Sequence, residues 1–334
     1  MTSPAQSRRP NFLILGVAKC GSTSLFAYLE QHPDVFFSRP KEPVFFEAQY
    51  QEGLEFYWRE YFAGYRGESA IGEARTHNLL LPFVPGRVHE SIPDAKLVAI
   101  VRDPIDRAYS HWWHRHSRGL ERLGLRAALE ANLERIRAGS LYEGPEGAER
   151  WKRSLIQNAT NWSTRYGHYL DLGYYAVQLE RYLALFPRSQ LLVVLFEDLS
   201  RSPQDVCRQV WEFLGVDAEQ HLADPAPRNV AVERKKGRLL RKISRVPIPP
   251  LASRIIPEPV KDLWRALLAG RPASRPAIDP ETESWLLDHF APHNRALEAL
   301  MGRELSAWFE PKPSRTSPAR GSQETVASLD DEAA

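Results

Sequence analysis

The residues best suited to chemistry form a glycine turn that follows the apolar run at residues 12–15. The turn reads Gly16-Val17-Ala18-Lys19-Cys20-Gly21-Ser22-Thr23-Ser24 and leads into a segment with helical periodicity. Glycines allow several backbone N–H groups to point inward, and the helix start, the hydroxyls and the charge of Lys19 all attract anions. This pattern predicts a phosphate-binding loop. It is not a Walker A loop, because Lys19 precedes Gly21 instead of following it.

Two more polar clusters also follow apolar runs. Residues 102–110 come after the run at 97–101, and Glu197 and Asp198 come after the run at 191–196. Unbroken apolar strands separated by helices indicate a parallel sheet covered on both faces, and ligands bind beyond the carboxyl ends of such strands. We therefore predict an α/β fold: a single domain whose central parallel sheet is flanked by helices, with a P-loop-like phosphate-binding loop after strand 1.

The elements that would position these clusters are indicated by periodicity and by capping residues. A short second strand is predicted at 35–37, and Asp103-Pro104 is predicted to be the N-cap and first residue of a helix. Helical periodicity is found at 22–31, 126–138, 175–186, 203–214 and 281–301.

Composition limits the class of protein. The 334 residues carry 44 basic and 42 acidic side chains, a net charge of +2, which argues against a whole-surface nucleic-acid binder. Two cysteines are too few for a disulfide framework or a structural zinc site. With neither a signal peptide nor an apolar run of membrane-spanning length, the sequence predicts a cytoplasmic protein. Its arginine and proline content favours a bacterial source.

The ends of the chain differ in composition from its middle. Residues 1–10 and 311–334 are rich in Pro, Ser, Ala and charge and lack an apolar period, so they are predicted to be disordered tails. Residues 11–310 are predicted to form the domain. Within it, residues 225–276 form a basic, Pro- and Arg-rich excursion that is expected to lie over the active face.

Three motifs in this order resemble the sulfotransferases that use 3′-phosphoadenosine 5′-phosphosulfate (PAPS). They are the loop at 16–24, Lys41-Glu42-Pro43-Val44-Phe45-Phe46, and Arg102-Asp103-Pro104-Ile105-Asp106-Arg107-Ala108-Tyr109-Ser110. The likeness is greatest to the heparan-sulfate N- and 3-O-sulfotransferase branch and its bacterial relatives, and it covers most of residues 11–309. It implies PAPS as co-substrate, with no metal ion.

The resemblance also implies roles on the nucleotide side of the site. Lys19 would stabilise the leaving 5′-phosphate, and Arg102 and Ser110 would bind the 3′-phosphate, a task that suits the planar fork of arginine. The remaining implied nucleotide contacts are the 5′-phosphate ligands Gly21, Ser22, Thr23 and Ser24 and a late loop that closes over the nucleotide, Lys236, Gly237 and Arg238. A solvated basic face is the alternative for that late loop.

On the acceptor side, the resemblance makes Glu42 the general base. Burial beside Phe45 and Phe46 is expected to make this carboxylate basic enough, and the alternative is a surface pair with Lys41. His114, one helical turn after Ser110, is a second candidate, with a packing role as its alternative.

Three more residues are candidates for contact with the acceptor. Trp112 and Trp113 would line the acceptor groove, and Arg75 stands beside Ala74, where the family's glycosaminoglycan enzymes carry a lysine. Cys20, in the phosphate loop, is expected to be reactive toward alkylating agents, because a helix start and a lysine favour the thiolate.

The function that follows is transfer of a sulfuryl group to the hydroxyl of a carbohydrate, or of a lipid or other small molecule, with an amine as the second choice. No nucleic-acid partner is expected, and the oligomeric state stays open. A P-loop kinase or NTPase is the alternative enzyme, because Glu197 and Asp198 end a strand as in a Walker B motif. A non-catalytic module that binds acidic partners through residues 228–245 is the third possibility.

Overall fold

Five short segments pair into one sheet in the computed structural model, which describes residues 9–139, 142–157, 167–226, 234–235, 271–272 and 275–316. All neighbouring strands are parallel, and their order is β2-β3-β1-β4-β5. The strands are β1 (Phe12–Gly16), β2 (Val35–Phe37), β3 (Ala70–Arg75), β4 (Lys96–Val101) and β5 (Leu191–Leu195). The predicted α/β class with a central parallel sheet is confirmed.

Helices connect and cover the strands. They are α1 (Ser22–Leu29), α2 (Gly53–Tyr61), α3 (Val84–Ser91), α4 (Pro104–His116), α5 (Leu125–Arg137), α6 (Gly147–Gln157), α7 (Tyr175–Leu183), α8 (Phe196–Arg201), α9 (Pro203–Leu214), α10 (Pro280–Met301) and α11 (Pro313–Thr316). Two two-residue strands, β6 (Arg234–Lys235) and β7 (Arg271–Pro272), pair antiparallel. No helix in the described ranges is both long and apolar enough to cross a bilayer.

Strand β3 has no counterpart among the predicted strands. Its centre carries Gly72 and Glu73, which interrupt the apolar run that marks a buried strand. Glu73 is nevertheless buried, because the Tyr57 hydroxyl and the Asn78 amide both donate hydrogen bonds to its carboxylate. Gly72 lies against the neighbouring strand so closely that a Cβ there would be 2.5 Å from the Phe12 carbonyl oxygen.

The strand order places a crevice beside the central strand. From β1 the chain turns towards β2 and β3 on one side, and it later adds β4 and β5 on the other. The register pairs Gly16 with Ile100, so the loop after β1 and the segment after β4 leave the sheet side by side. A switch point of this kind is where open parallel sheets bind their ligands.

The packed chain extends six residues beyond the predicted domain end at 310. Arg315 is buried, and its carbonyl oxygen accepts a hydrogen bond from the Ile278 N–H at 2.7 Å. The prediction of a disordered tail from residue 311 is therefore wrong for residues 311–316. Lys312 and Arg315 form ion pairs with carboxylates of the domain, which the composition of the segment does not reveal. Most of the 225–276 excursion, residues 1–8 and residues 317–334 lie outside the described residues.

Candidate active site

The loop between β1 and α1 has the backbone of an anion cradle. Gly21, immediately before α1, has φ +91°, and Lys19 also lies in the left-handed region with φ +77°. A Cβ at Gly21 would be 2.5 Å from a ring carbon of Phe196, the first residue of α8. Only glycine therefore allows this close approach of α8 to the start of α1, whose first backbone N–H groups attract anions.

Arg102 joins this loop from the end of β4. Its guanidinium donates a hydrogen bond to the Lys19 carbonyl oxygen at 3.1 Å and lies 4.4 Å from the centre of the Phe196 ring. The Tyr175 hydroxyl donates to the Arg102 carbonyl oxygen at 2.8 Å. The two cationic residues predicted to bind the nucleotide are thus brought together at the switch point.

Cys20 does not have the environment that was expected of it. The thiol is fully buried, and its sulfur lies 3.4 Å from the Tyr175 hydroxyl. Burial raises the pKa of Cys20, although Arg107 and the Tyr175 hydroxyl act in the opposite direction. The predicted reactivity toward alkylating agents is therefore wrong: a buried thiol with a raised pKa reacts slowly.

Lys41 connects the loop to the predicted base. Its ammonium donates to the Thr23 hydroxyl at 3.1 Å and to the Glu42 carboxylate at 3.3 Å. Arg75, at the end of β3, contacts the other Glu42 oxygen at 3.3 Å. Glu42 itself has φ +65°, so Lys19 and Glu42 are the two non-glycine residues with positive φ in the described part of the chain.

The predicted burial of Glu42 is wrong. About a third of its side chain is exposed (34%), and it lies between two cations. The rings of Phe45 and Phe46 instead point into the core, where Phe45 stacks on Tyr57 with ring centres 4.2 Å apart. The Lys41–Glu42 pair given as the alternative does form, but it is one contact in a larger polar cluster.

Behind Glu42 lies a second carboxylate, that of Glu47. It is almost fully buried and pairs with Arg75 and with His77 Nδ1, the latter at 3.0 Å. Burial opposes ionisation, but the hydrogen bond and charge of His77 together with Arg75 lower the pKa of Glu47. Arg75 therefore links two glutamates and is held rigidly beside Glu42.

A small cavity of about 20 Å³, room for about one water molecule, lies next to the phosphate loop. Three imidazoles from different parts of the chain line it. Its wall comprises Ala18, His77, Leu80, His111, Trp151, His168 and Leu172. Burial, reinforced by Arg107 and Arg115, holds the pKa of His111 well below its usual value, so this ring is neutral at pH 7.

Helix α4 carries the remaining predicted residues of the motif. The Asp103 side chain caps it, accepting hydrogen bonds from the N–H groups of Ile105 and Asp106, as predicted. Ser110 and His114 are both half-buried, one turn apart, and Arg118 lies 2.6 Å from His114 Nε2.

Trp112 and Trp113 face the core instead of an acceptor groove. Both are buried in an apolar cluster, and the Trp112 indole N–H donates to the Leu123 carbonyl oxygen at 3.1 Å. The prediction that they contact the acceptor does not agree with this placement. Adjacent aromatic residues on an amphipathic helix are a core pattern, and their periodicity pointed to packing.

The described residues test the predicted late nucleotide loop and the expected absence of a metal ion only in part. The late loop Lys236, Gly237 and Arg238 lies outside the described residues. Within the described ranges, no group of three or more His, Cys, Asp or Glu side chains is arranged to bind a metal ion.

Lys41, Glu47 and His77 belong to the site but were not predicted as site residues. A signal was present for His77, because Arg75 to Asn78 follow a strand end at the ligand-binding edge. Gly72 and Glu73 interrupt the apolar run of that strand, so hydrophobicity predicts neither the strand nor its polar end. Glu47 lies in a short π-helical turn, Phe45–Gln49, whose backbone has no sequence signature of this kind.

Comparison with known proteins identifies the family. A family model described as a sulfotransferase domain matches residues 9–248. A crystal structure of a sulfotransferase from Alicyclobacillus acidocaldarius is 31% identical, with a TM-score of 0.61, and the match covers 90% of this chain and 99% of that one.

Curated relatives are longer proteins. The bifunctional heparan sulfate N-deacetylase/N-sulfotransferase 4 of Mus musculus is 26% identical over 320 residues, which cover 90% of this chain and 31% of the mouse protein. The human bifunctional heparan sulfate N-deacetylase/N-sulfotransferase 3 is 30% identical over 217 residues, covering 63% of this chain and 22% of the human protein. This chain thus spans about a third or less of either relative. Since the sulfotransferase-domain match takes in well over half of the chain, and the resemblance seen in the motifs agrees with it, the protein belongs to the sulfotransferase family.

Proposed function

We propose that this sulfotransferase takes its sulfuryl group from PAPS and transfers it to the hydroxyl of a carbohydrate. The observation that carries the proposal is the backbone strain at Lys19 and Glu42, the two residues that the motifs mark as catalytic. A left-handed conformation costs a non-glycine residue about 1–2 kcal/mol, and such strain persists where function needs it. Lys41 donates to both the Thr23 hydroxyl and the Glu42 carboxylate, so it links the phosphate loop to Glu42.

On the nucleotide side, the chain's residues fit a doubly phosphorylated adenosine. The start of α1, with its hydroxyls and the left-handed turn at Gly21, is suited to the 5′-phosphate. Lys19 supplies positive charge where the leaving phosphate gains negative charge as the S–O bond breaks. Arg102 and Ser110 are proposed to bind the 3′-phosphate, which distinguishes PAPS from ATP.

On the acceptor side, Glu42 accepts the proton that the hydroxyl loses while its oxygen bonds to sulfur. Its two oxygens are oriented by Lys41 and Arg75 at 3.3 Å each, which fixes the carboxylate at the mouth of the loop. His114 is the second candidate for this role. It is half-buried and lies one helical turn after Ser110, so the two residues are on the same face of α4.

A carbohydrate acceptor is supported by the names of the heparan sulfate relatives, and an amine is the second choice for the same reason. A lipid or other small-molecule hydroxyl is the alternative acceptor, since Ala74 stands where the family's glycosaminoglycan enzymes carry a lysine. The kinase or NTPase alternative gains no support from the family match.

The test is a transfer assay with two donors, radiolabelled PAPS and γ-labelled ATP, against polysaccharides, amino sugars and small hydroxyl compounds. We expect label to move from PAPS to a carbohydrate hydroxyl. Lys19→Ala is expected to abolish transfer through kcat, because the charge it meets grows in the transition state. Lys152→Ala, which removes an exposed lysine on α6, is the matched control. Transfer from ATP alone would contradict the proposal.

A further inference from the structure

Two carboxylates stand directly beside Arg102. Asp103 is fully buried as the N-cap of α4, and Asp106 is one turn further on. Asp103 is the residue after Arg102, and Asp106 lies in the first turn of α4, so both carboxylates are close to Arg102. Left unbalanced, this acidic pair would attract the Arg102 guanidinium and repel any phosphate bound to it.

The C-terminal cation pair, Lys312 and Arg315, balances that acidic pair. Lys312 Nζ lies 2.6 Å from Asp103 Oδ2 and 3.2 Å from Asp106 Oδ2. Arg315 lies 2.5 Å from Asp103 Oδ2 and 2.7 Å from Asp106 Oδ1. Each cation thus contacts both carboxylates, and the Arg315 side chain is only 1% exposed.

The cation pair is itself fixed by α10. Glu283, near the start of that helix, accepts a hydrogen bond from the Lys312 N–H at 3.0 Å and pairs with Arg315 at 3.3 Å. Burial acts against ionisation of Asp106, yet the charges of Arg315 and Lys312 lower the pKa of this carboxyl, which is therefore ionised and paired. In the described part of the chain, Arg102 forms no ion pair with either aspartate, and its guanidinium stays with the phosphate loop.

We propose that Lys312 and Arg315 are positioning residues for nucleotide binding. By neutralising the two aspartates, they keep Arg102 directed at the crevice and available to the 3′-phosphate. This inference rests on the proposed function, because it needs a 3′-phosphorylated nucleotide as the ligand. It gives residues 311–316, whose composition predicts a disordered tail, a role in selectivity for a 3′-phosphate.

The experiment measures the affinity of the full chain for adenosine 3′,5′-bisphosphate and for adenosine 5′-phosphate by calorimetry. Lys312→Met is the test variant, because a side chain that is 24% exposed can be replaced by one of similar length without disturbing the core. We expect the dissociation constant of the bisphosphate to rise roughly tenfold and that of the 5′-phosphate to change less than about twofold. Adding Asp106→Asn to Lys312→Met should restore bisphosphate binding.

Arg126→Met is the matched control. It also removes one positive charge and breaks an ion pair of 2.6 Å, with Glu130 on α5, and should leave both affinities unchanged. Equal weakening of both nucleotides in Lys312→Met, or no rescue by Asp106→Asn, would show a merely structural role and overturn the inference. A bisphosphate preference that is unchanged in Lys312→Met would overturn the inference alone. Equal binding of both nucleotides by the unaltered chain would overturn the proposed function as well.

Discussion

At the residue scale, the surroundings of Glu42, the proposed general base, differ from those predicted by the sequence. The sequence suggested burial against two phenylalanines, whereas the carboxylate lies partly exposed between Lys41 and Arg75. Opposite charges on two sides hold such a group in one orientation, so its oxygens are positioned to receive a proton. Positioning, rather than burial, is thus the contribution that this environment makes.

Glu42→Gln keeps the size of the side chain and removes its ability to accept a proton. General-base catalysis supplies about 10²- to 10⁴-fold, so kcat for sulfuryl transfer should fall by that order while binding of adenosine 3′,5′-bisphosphate is kept. Glu55→Gln, on the exposed face of α2, is the control. His114→Ala in the same assay decides between the candidates: a large loss there with a mild effect of Glu42→Gln would move the role of base to His114.

Glu73 makes the free energy of unfolding depend on pH. Burial raises its pKa to about 7, although the hydrogen bonds from Tyr57 and Asn78 oppose the shift. Between its ordinary value of 4.5 and about 7, the folded chain therefore keeps a proton that the unfolded chain has lost. The unfolded state binds fewer protons in that window, so this group reduces the free energy of unfolding as pH rises.

Glu73→Gln removes this titration and keeps the hydrogen-bonding shape. Its free energy of unfolding relative to the unaltered chain should rise by about 2 kcal/mol between pH 5 and pH 7.5. Urea unfolding of both chains at the two pH values measures this, and the contributions of the buried histidines cancel in the difference. Glu60→Gln, an exposed change on α2, should show no such trend. A pH-independent difference for Glu73→Gln would contradict the raised pKa.

At the scale of elements, the phosphate loop depends on α8 as much as on its own glycines. Phe196 fills the space beside Gly21 and supports the Arg102 guanidinium, so the first residue of α8 fixes both nucleotide elements. Gly21→Ala should lower the free energy of unfolding by about 1–3 kcal/mol, from backbone strain and overpacking together, and weaken nucleotide binding. Thermal unfolding and calorimetry measure the two effects.

Gly302→Ala separates these two causes. Gly302, directly after α10, is also left-handed, with φ +66° and ψ +31°, but a Cβ there would meet nothing within 4 Å. It should therefore cost only the backbone term, about 1 kcal/mol, and leave nucleotide binding unchanged. A Gly21→Ala chain as stable as Gly302→Ala would mean that Phe196 moves aside.

Elements with a strong periodic or capping signal were predictable. The helix 203–214 and the strand 35–37 have the predicted bounds, and Asp103 caps α4 as its sequence indicates. Strand β3 was not predictable from hydrophobicity, because Glu73 becomes compatible with the core only through partners distant in sequence, Tyr57 and Asn78. The predicted domain end at residue 310 is wrong for the same reason, because Arg315 is buried against carboxylates more than 200 positions earlier.

At the scale of the whole molecule, the parallel sheet brings the motifs into one crevice. The loop after β1 and the start of α4 were predicted to meet because both follow strand ends, and the hydrogen bond from Arg102 to Lys19 joins them. The acceptor side was less predictable. Its cluster of Lys41, Glu47 and His77 is assembled by charge pairing across a loop and a π-helical turn, and such pairing has no fixed spacing in a sequence.

The most direct test of the account is nucleotide selectivity, measured by calorimetry without magnesium. If Arg102 and Ser110 bind a 3′-phosphate, adenosine 3′,5′-bisphosphate should bind about ten- to hundred-fold more tightly than adenosine 5′-phosphate or ATP, the effect of one charged hydrogen-bonded contact. Arg102→Met should remove most of that preference and leave adenosine 5′-phosphate binding nearly unchanged. Equal affinity for ATP, or binding that requires magnesium, would contradict the account and favour phosphoryl-transfer chemistry.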